Sequence, residues 1–199
     1  MLINIAVLVS GGGTNLQALI DAENAGIIKS GKIKLVVSNN QNAYALERAK
    51  KADIKTAVCL KKELGDKFED TIISVLEEND IDVIVLAGFM SILSENFTKK
   101  YAKRIINVHP SLIPSFCGKG FYGLKVHEEA LKYGVKVTGA TVHFVNEVPD
   151  GGEIIMQKAV EILDGDTPEV LQKRVMEQAE WIILPRSVEK VCAFYKGEN

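Results

Sequence analysis

Cysteine is scarce in this chain: Cys59, Cys117 and Cys192 are the only three, odd in number and far apart. That pattern excludes a disulfide framework and a cysteine-based zinc site, and it suits a reducing, cytoplasmic setting. Long hydrophobic runs are also missing, since none approaches the ~18 residues that span a bilayer. The apolar start, Met1 to Val9, has no basic n-region and runs into three glycines, so it reads as a strand and not as a signal peptide. Nor does one sign of charge prevail. Lys and Arg number 24 against 26 Asp and Glu, a net charge of -2 that provides no whole-chain field to draw nucleic acid or an anionic membrane. With only five prolines, and no repeat, low-complexity tract or Pro/Ser-rich linker, nothing marks a boundary. Residues 1–199 are therefore expected to form one domain. What is present is ordinary for a globular protein: 47% hydrophobic and 25% charged residues.

Apolar strands alternate with amphipathic helices through the first half. Strands are expected at 3–9, 33–37, 55–59 and 83–87, the last apolar throughout, as in a strand covered on both faces. A helix from about 15 to 25 stops at Gly26, and another begins near Asn42 with Glu47 and Lys51 at an ion-pairing spacing. Phe68, Ile72, Ile73 and Leu76 recur with helical period. Further strands are expected at 105–109, 137–145 and 153–162. A long last helix has Thr167 as N-cap and Pro168 in its first turn, and Pro185 should kink or end it. The fold class is α/β: a mostly parallel twisted sheet flanked by helices, with a Rossmann-like, nucleotide-binding N-terminal half.

Two stretches carry chemistry. Ser10-Gly11-Gly12-Gly13-Thr14-Asn15 joins the first strand to the first helix, where backbone N–H groups and the helix N-terminus favour an anion. It is neither a P-loop, lacking Gly-Lys-Ser/Thr, nor a dinucleotide fingerprint, since Leu16 stands where a third glycine belongs. A phosphate cradle and a plain tight turn capped by Thr14 or Asn15 both fit. In Asn107-Val108-His109-Pro110-Ser111, Asn107 and His109 leave the same face of a strand. Their Cα atoms should lie about 6.6 Å apart at strand rise, at a strand's C-terminal end, where open α/β sheets bind ligands. An amide that donates to a carbonyl oxygen, beside an imidazole that moves a proton, suits acyl or formyl transfer. A lone structural histidine fits the same spacing. Asp150, in the turn Pro149-Asp150-Gly151-Gly152, is the best carboxylate to orient the histidine, although Asp-Gly is common turn chemistry. Pro110 and Pro114 stiffen the loop that follows, and either is a place for a cis bond.

Taken in order, Val9 to Gln17, Leu86-Ala87-Gly88-Phe89-Met90, Asn107 to Pro114, and His143-Phe144-Val145 followed by Asp150-Gly151-Gly152 resemble the phosphoribosylglycinamide formyltransferase family, over nearly the whole chain. The resemblance implies formyl transfer from 10-formyltetrahydrofolate, a co-substrate, to the amine of glycinamide ribonucleotide in purine synthesis, without a metal. It implies Asn107 on the formyl oxygen, His109 as general acid, and Asp150 raising the histidine's pKa and organising a water. Gly12, Gly13, Thr14 and Asn15 would hold the substrate phosphate, and Glu180 the ribose hydroxyls. Met90, Ser91, Ile92 and Leu93, with Asn107 and the segment from Val145 to Asp150, would line the folate pocket. Partners would be these small molecules, with no nucleic acid and no membrane, in a monomer or homodimer.

Some positions resist the resemblance. With Leu171, Val175, Ala179 and Ile182 as the buried stripe, helical phase turns Glu180 to solvent, and its assignment turns on whether the alignment includes a one-residue insertion. Ser91 stands where the family commonly has Arg, and Gly65 where a basic residue often helps bind folate. Lys62 and Lys67 are possible substitutes, so altered binding of the folate tail is expected. His143 shares a face with Thr141 and either lines the site or is a hydrogen-bonded, half-buried histidine. His127 has no second histidine at helical spacing, Cys117 has no activating partner, and 116–123 reads as a Gly-punctuated loop near the site. Rival readings are formyltetrahydrofolate hydrolase, methionyl-tRNA formyltransferase and a non-catalytic nucleotide-binding module. The first usually carries an extra N-terminal domain and the second a C-terminal tRNA-binding extension. The third leaves Asn107, His109 and Asp150 unexplained.

Overall fold

The computed structural model describes residues 1–198. Strands β1 (Ile3–Val9), β2 (Gly31–Ser38), β3 (Lys55–Val58), β4 (Val83–Leu86), β5 (Ile105–His109), β6 (Val137–Phe144) and β7 (Ile154–Glu161) form one sheet in the order β3-β2-β1-β4-β5-β6-β7. The first five run parallel, while β6 is antiparallel to both β5 and β7. A parallel sheet needs crossovers on its faces, so its central strands carry apolar residues on both sides. β1 shows this directly. Ile5, Val7 and Val9 pack into one core, with α1 (Thr14–Asn24) and α8 (Trp181–Lys196). Ala6 and Leu8 pack into the other, with α4 (Phe68–Glu77) and α5 (Glu95–Lys100).

The order places the topological switch between β1 and β4, where successive crossovers diverge and a crevice opens at the strands' C-terminal ends. Side chains tie the loops around it together. Ser10 Oγ accepts from Met90 N at 2.8 Å, Asn40 Nδ2 donates to Ser10 O at 3.1 Å, and Asn39 Nδ2 donates to Ser91 Oγ at 3.0 Å.

The remaining helices are α2 (Tyr44–Lys51), α3 (Lys61–Leu64), α6 (Leu124–Tyr133) and α7 (Pro168–Val175). α3 and α5, at four and six residues, are too short to show a period in the sequence. Thr167 caps α7 as expected, its Oγ1 accepting from Val170 N at 3.3 Å, with Pro168 in the first turn. Two local expectations are corrected, and one of the two alternatives for Pro185 is excluded. Glu47 pairs with Lys50 at 2.8 Å and not with Lys51, whose ammonium lies 6.0 Å from the centre of the Tyr44 ring. Pro185 does not end the last helix, which runs on to Lys196. A π turn, Met176–Glu180, precedes α8, and such a turn relaxes the backbone bonding just upstream of a proline. The same turn shifts helical phase by one residue. Ile183 and not Ile182 continues the buried stripe of Leu171, Val175 and Ala179, and Glu180 faces inward with 6% exposure.

Candidate active site

The ends of β1, β4 and β5 open into a cavity of about 740 Å³. Asn15 lines it from the glycine loop, Gly88 to Ile92 from the β4 loop, and Asn107 to Pro110 from β5. Asp150 enters from the turn before β7, and Glu180 from the π turn. Gly13 has φ 72 and serves as N-cap of α1. A Cβ there would sit 2.6 Å from Ala45 Cβ, so only glycine lets α2 lie this close to the loop.

Antiparallel pairing puts His143 of β6 directly beside Asn107 of β5, and Thr141 beside His109. His143 is buried, and its Nδ1 lies 2.8 Å from the Phe144 carbonyl. A carbonyl only accepts, so that nitrogen carries the hydrogen and the neutral ring's Nε2 is an acceptor. Asn107 Nδ2, 3.2 Å away, donates to it. This contact fixes which way the amide points and leaves one of its two N–H bonds for another acceptor. The expectation that His143 either lines the site or is a buried hydrogen-bonded residue resolves into a buried contact that orients Asn107.

His109 is 4% exposed, and its Nε2 donates to the Phe116 carbonyl at 2.8 Å. Asp150 Oδ2 stands 3.5 Å from His109 Nδ1, and Asp150 Oδ1 stands 3.5 Å from His143 Nε2. Gly118 N donates to Asp150 Oδ2 at 2.8 Å, so the 116–123 loop holds both the histidine and the carboxylate. Asp150 has φ 57, and a Cβ on Gly152 would lie 1.7 Å from Phe144 O. The Asp-Gly-Gly sequence thus permits the bend that returns the carboxylate to β5. The Ile113–Pro114 bond is cis.

Burial pushes the His109 pKa down, against the opposite pull of the Asp150 carboxylate, and burial prevails. The expected sign of the Asp150 contribution is present, but the net shift is downward. For Asp150 itself burial works to raise the pKa, while the adjoining His143 and His109 rings and the Gly118 N–H outweigh it and hold the carboxyl below its usual range. Glu180 accepts from Asn15 Nδ2 at 2.7 Å, yet its deep burial pushes its pKa up. His127, fully buried at the cavity wall with neither ring nitrogen partnered among the described residues, is pushed down to about 4, chiefly by burial.

Several expected residues lie apart from this lining. Gly12, Gly13 and Thr14 belong to the loop beside the cavity, and Leu93 is 7% exposed within the core under α5. The Val145 side chain packs into that same core and lines a smaller cavity of about 200 Å³. Because β6 runs against β5, stepping from His143 to Val145 moves away from the end of β5 where the main cavity opens. Lys62 and Lys67 are exposed around Gly65 and do not reach the lining, where Lys119 is the one lysine or arginine among the described residues. Tyr122, Gln172 and Met176 also line it. Only the first gave a signal in the sequence, as part of the glycine-punctuated loop. Among the described residues no cluster of three or more His, Cys, Asp or Glu could hold a metal ion, and no helix is long and apolar enough to cross a membrane.

Comparison with known proteins bears on this geometry. The chain is 45% identical to phosphoribosylglycinamide formyltransferase of Haemophilus influenzae, over 91% of its own length and 83% of that protein. It is 44% identical to the human trifunctional purine biosynthetic protein adenosine-3, covering 98% of this chain and 19% of that longer one. Among solved structures, glycinamide ribonucleotide transformylase 1 of Symbiobacterium toebii superposes with a TM-score of 0.89 at 37% identity, over 98% of this chain and 89% of that one. The family model described as formyl transferase matches residues 3–188, and the chain belongs to that family.

Proposed function

We infer that this chain transfers the formyl group of 10-formyltetrahydrofolate to the amine of glycinamide ribonucleotide, giving formylglycinamide ribonucleotide and tetrahydrofolate in purine synthesis. The observation that carries the reading is the meeting of Asn107, His109 and Asp150 at the end of β5, in a cavity that also opens on the glycine loop. The phosphorylated substrate lies with its phosphate on the N–H groups of Gly12 to Asn15 and its ribose toward Glu180. The folate ring lies against Phe89, Met90 and Ile92. Met90 and Ile92 are 58% and 69% exposed, apolar surface suited to a flat heterocycle.

The amine attacks the formyl carbon, a C–N bond forms, and the carbonyl electron pair moves to oxygen. Asn107 offers that oxygen the N–H not used on His143, and donors already aimed at developing charge are worth most in a site that excludes water. The electrons then return, the bond from the formyl carbon to the folate nitrogen breaks, and that nitrogen takes up the proton the amine loses. His109 carries the proton, and Asp150 favours the charged imidazole during transfer. Because His109 Nε2 is engaged by Phe116 O, His109 exchanges that hydrogen bond for one to substrate in each turnover. The chain acts as one domain over residues 1–199, as a monomer or homodimer in the cytoplasm, without nucleic acid, membrane or metal.

One assay tests the reading: purified protein with 10-formyltetrahydrofolate, with and without glycinamide ribonucleotide. Tetrahydrofolate released only with the ribonucleotide, together with its formylated product, is the expected outcome. Release without the ribonucleotide would make the chain a hydrolase, and no release would make it a binding module.

A further inference from the structure

Arg48 lies outside the catalytic set, yet three contacts fix it beside the glycine loop. Its Nε donates to the Gly12 carbonyl at 2.9 Å, its Nη1 donates to Gln17 Oε1 at 3.1 Å, and its guanidinium carbon lies 5.1 Å from the centre of the Tyr44 ring. No carboxylate among the described residues forms an ion pair with it, although Asp21 lines the same 410 Å³ cavity beside α1. One helix turn back on α2, Ala45 N donates to Gly11 O at 3.1 Å.

These bonds have a geometric consequence. In a trans peptide the C=O of one residue and the N–H of the next point in opposite directions. Holding the carbonyls of Gly11 and Gly12 toward α2 therefore turns the N–H groups of Gly12 and Gly13 the other way. The first intrahelical bond of α1 runs from Gln17 N to Gly13 O, so the N–H groups of its first turn remain open on that outward side. An anion there meets oriented donors, and a nearby guanidinium without a carboxylate adds an uncompensated positive charge.

We propose that Arg48 is a positioning residue for the phosphate of the ribonucleotide: it clamps the Gly12 carbonyl, so aiming the Gly13 N–H at the phosphate, and lends its charge to the same subsite. This rests on the substrate assigned above. The test crosses a deletion in the protein with a deletion in the substrate. Wild type, Arg48→Gln and Arg48→Lys are compared with glycinamide ribonucleotide and with its dephosphorylated riboside. Lys50→Gln, which removes an exposed charge from the same helix, is the control. Arg48→Gln is expected to lower kcat/KM for the ribonucleotide about tenfold or more and to change the riboside by less than about threefold. Arg48→Lys, which keeps charge and stem but loses the fork, should lie between, and Lys50→Gln should match wild type with both.

Calorimetric binding of the ribonucleotide without folate, and its competition by inorganic phosphate, supply a readout independent of catalysis. Equal losses with ribonucleotide and riboside would reduce Arg48 to a structural prop and overturn the proposal. So would unchanged phosphate competition in Arg48→Gln, or a loss in Lys50→Gln as large as in Arg48→Gln. Phosphate-dependent binding that requires Arg48, in a protein that transfers no formyl group, would sustain this inference and sink the proposed reaction instead.

Discussion

Strand β5 and the helical stretch from Pro168 to Lys196 each bring side chains to the same cavity, but they hold phase in different ways. β5 is laddered to β4 on one side and β6 on the other, so its two-residue period is enforced at every step and Asn107 and His109 emerge together. The backbone of the helical stretch is held by local bonds alone and absorbs one extra residue at Met176–Glu180, after which every side chain has rotated. A residue on a paired strand can be placed by counting. One beyond a π turn cannot, and Glu180 is the instance.

The largest expected effect lies on the strand. His109→Ala should lower kcat by roughly 10²–10⁴-fold while calorimetry shows ribonucleotide binding largely kept. Wild-type turnover would remove His109 from the mechanism. On the helical side, Glu180→Gln keeps the shape and the contact with Asn15 but cannot ionise, and it should raise KM for the ribonucleotide about tenfold with little change in kcat. Deleting Gln178, to convert the π turn to an α turn, should have a similar effect by turning Glu180 outward. If the deletion variant binds the ribonucleotide normally, the phase argument fails.

A smaller effect concerns stability. His127 titrates near 6.5 when unperturbed and at about 4 here. Between those values the unfolded chain takes up a proton that the folded one refuses. Stability is therefore full above the window and falls as pH drops through it. Urea unfolding across this range should show the slope reduced by up to about one proton in His127→Gln, and an unchanged slope would contradict the burial. The smallest effect expected is none. Replacing Lys62 and Lys67 together should leave folate glutamate-tail dependence unaltered, because neither reaches the cavity. A lost dependence would restore them as substitutes for the family's basic residue.

The sheet was largely legible because its strands are apolar or alternating and most give way within a few residues to glycine, asparagine or proline. β5 falls at Ile105–His109, as its pattern indicates. Asn107 and His109 were readable for the same reason. Asp150 was readable only as a turn residue, since its approach to His109 depends on the positive φ it adopts and on the bend at Gly152. Gln172 and Met176 join the cavity through the packing of α7 and the π turn, a long-range arrangement with no local period. The Ser91 departure was visible in the sequence, but its hydrogen bond from Asn39 was not.

The reversal of β6 also bears on how the molecule assembles. The Asn107–His143 contact closes 36 residues, and the Asn15–Glu180 contact closes 165. Closing loops of that length costs entropy before any contact compensates, which slows folding. During refolding, then, helical signal and even affinity for phosphate should return ahead of catalytic competence. The working enzyme is what the chain acquires last, and its reappearance is a stricter measure of nativeness than any spectrum of its secondary structure.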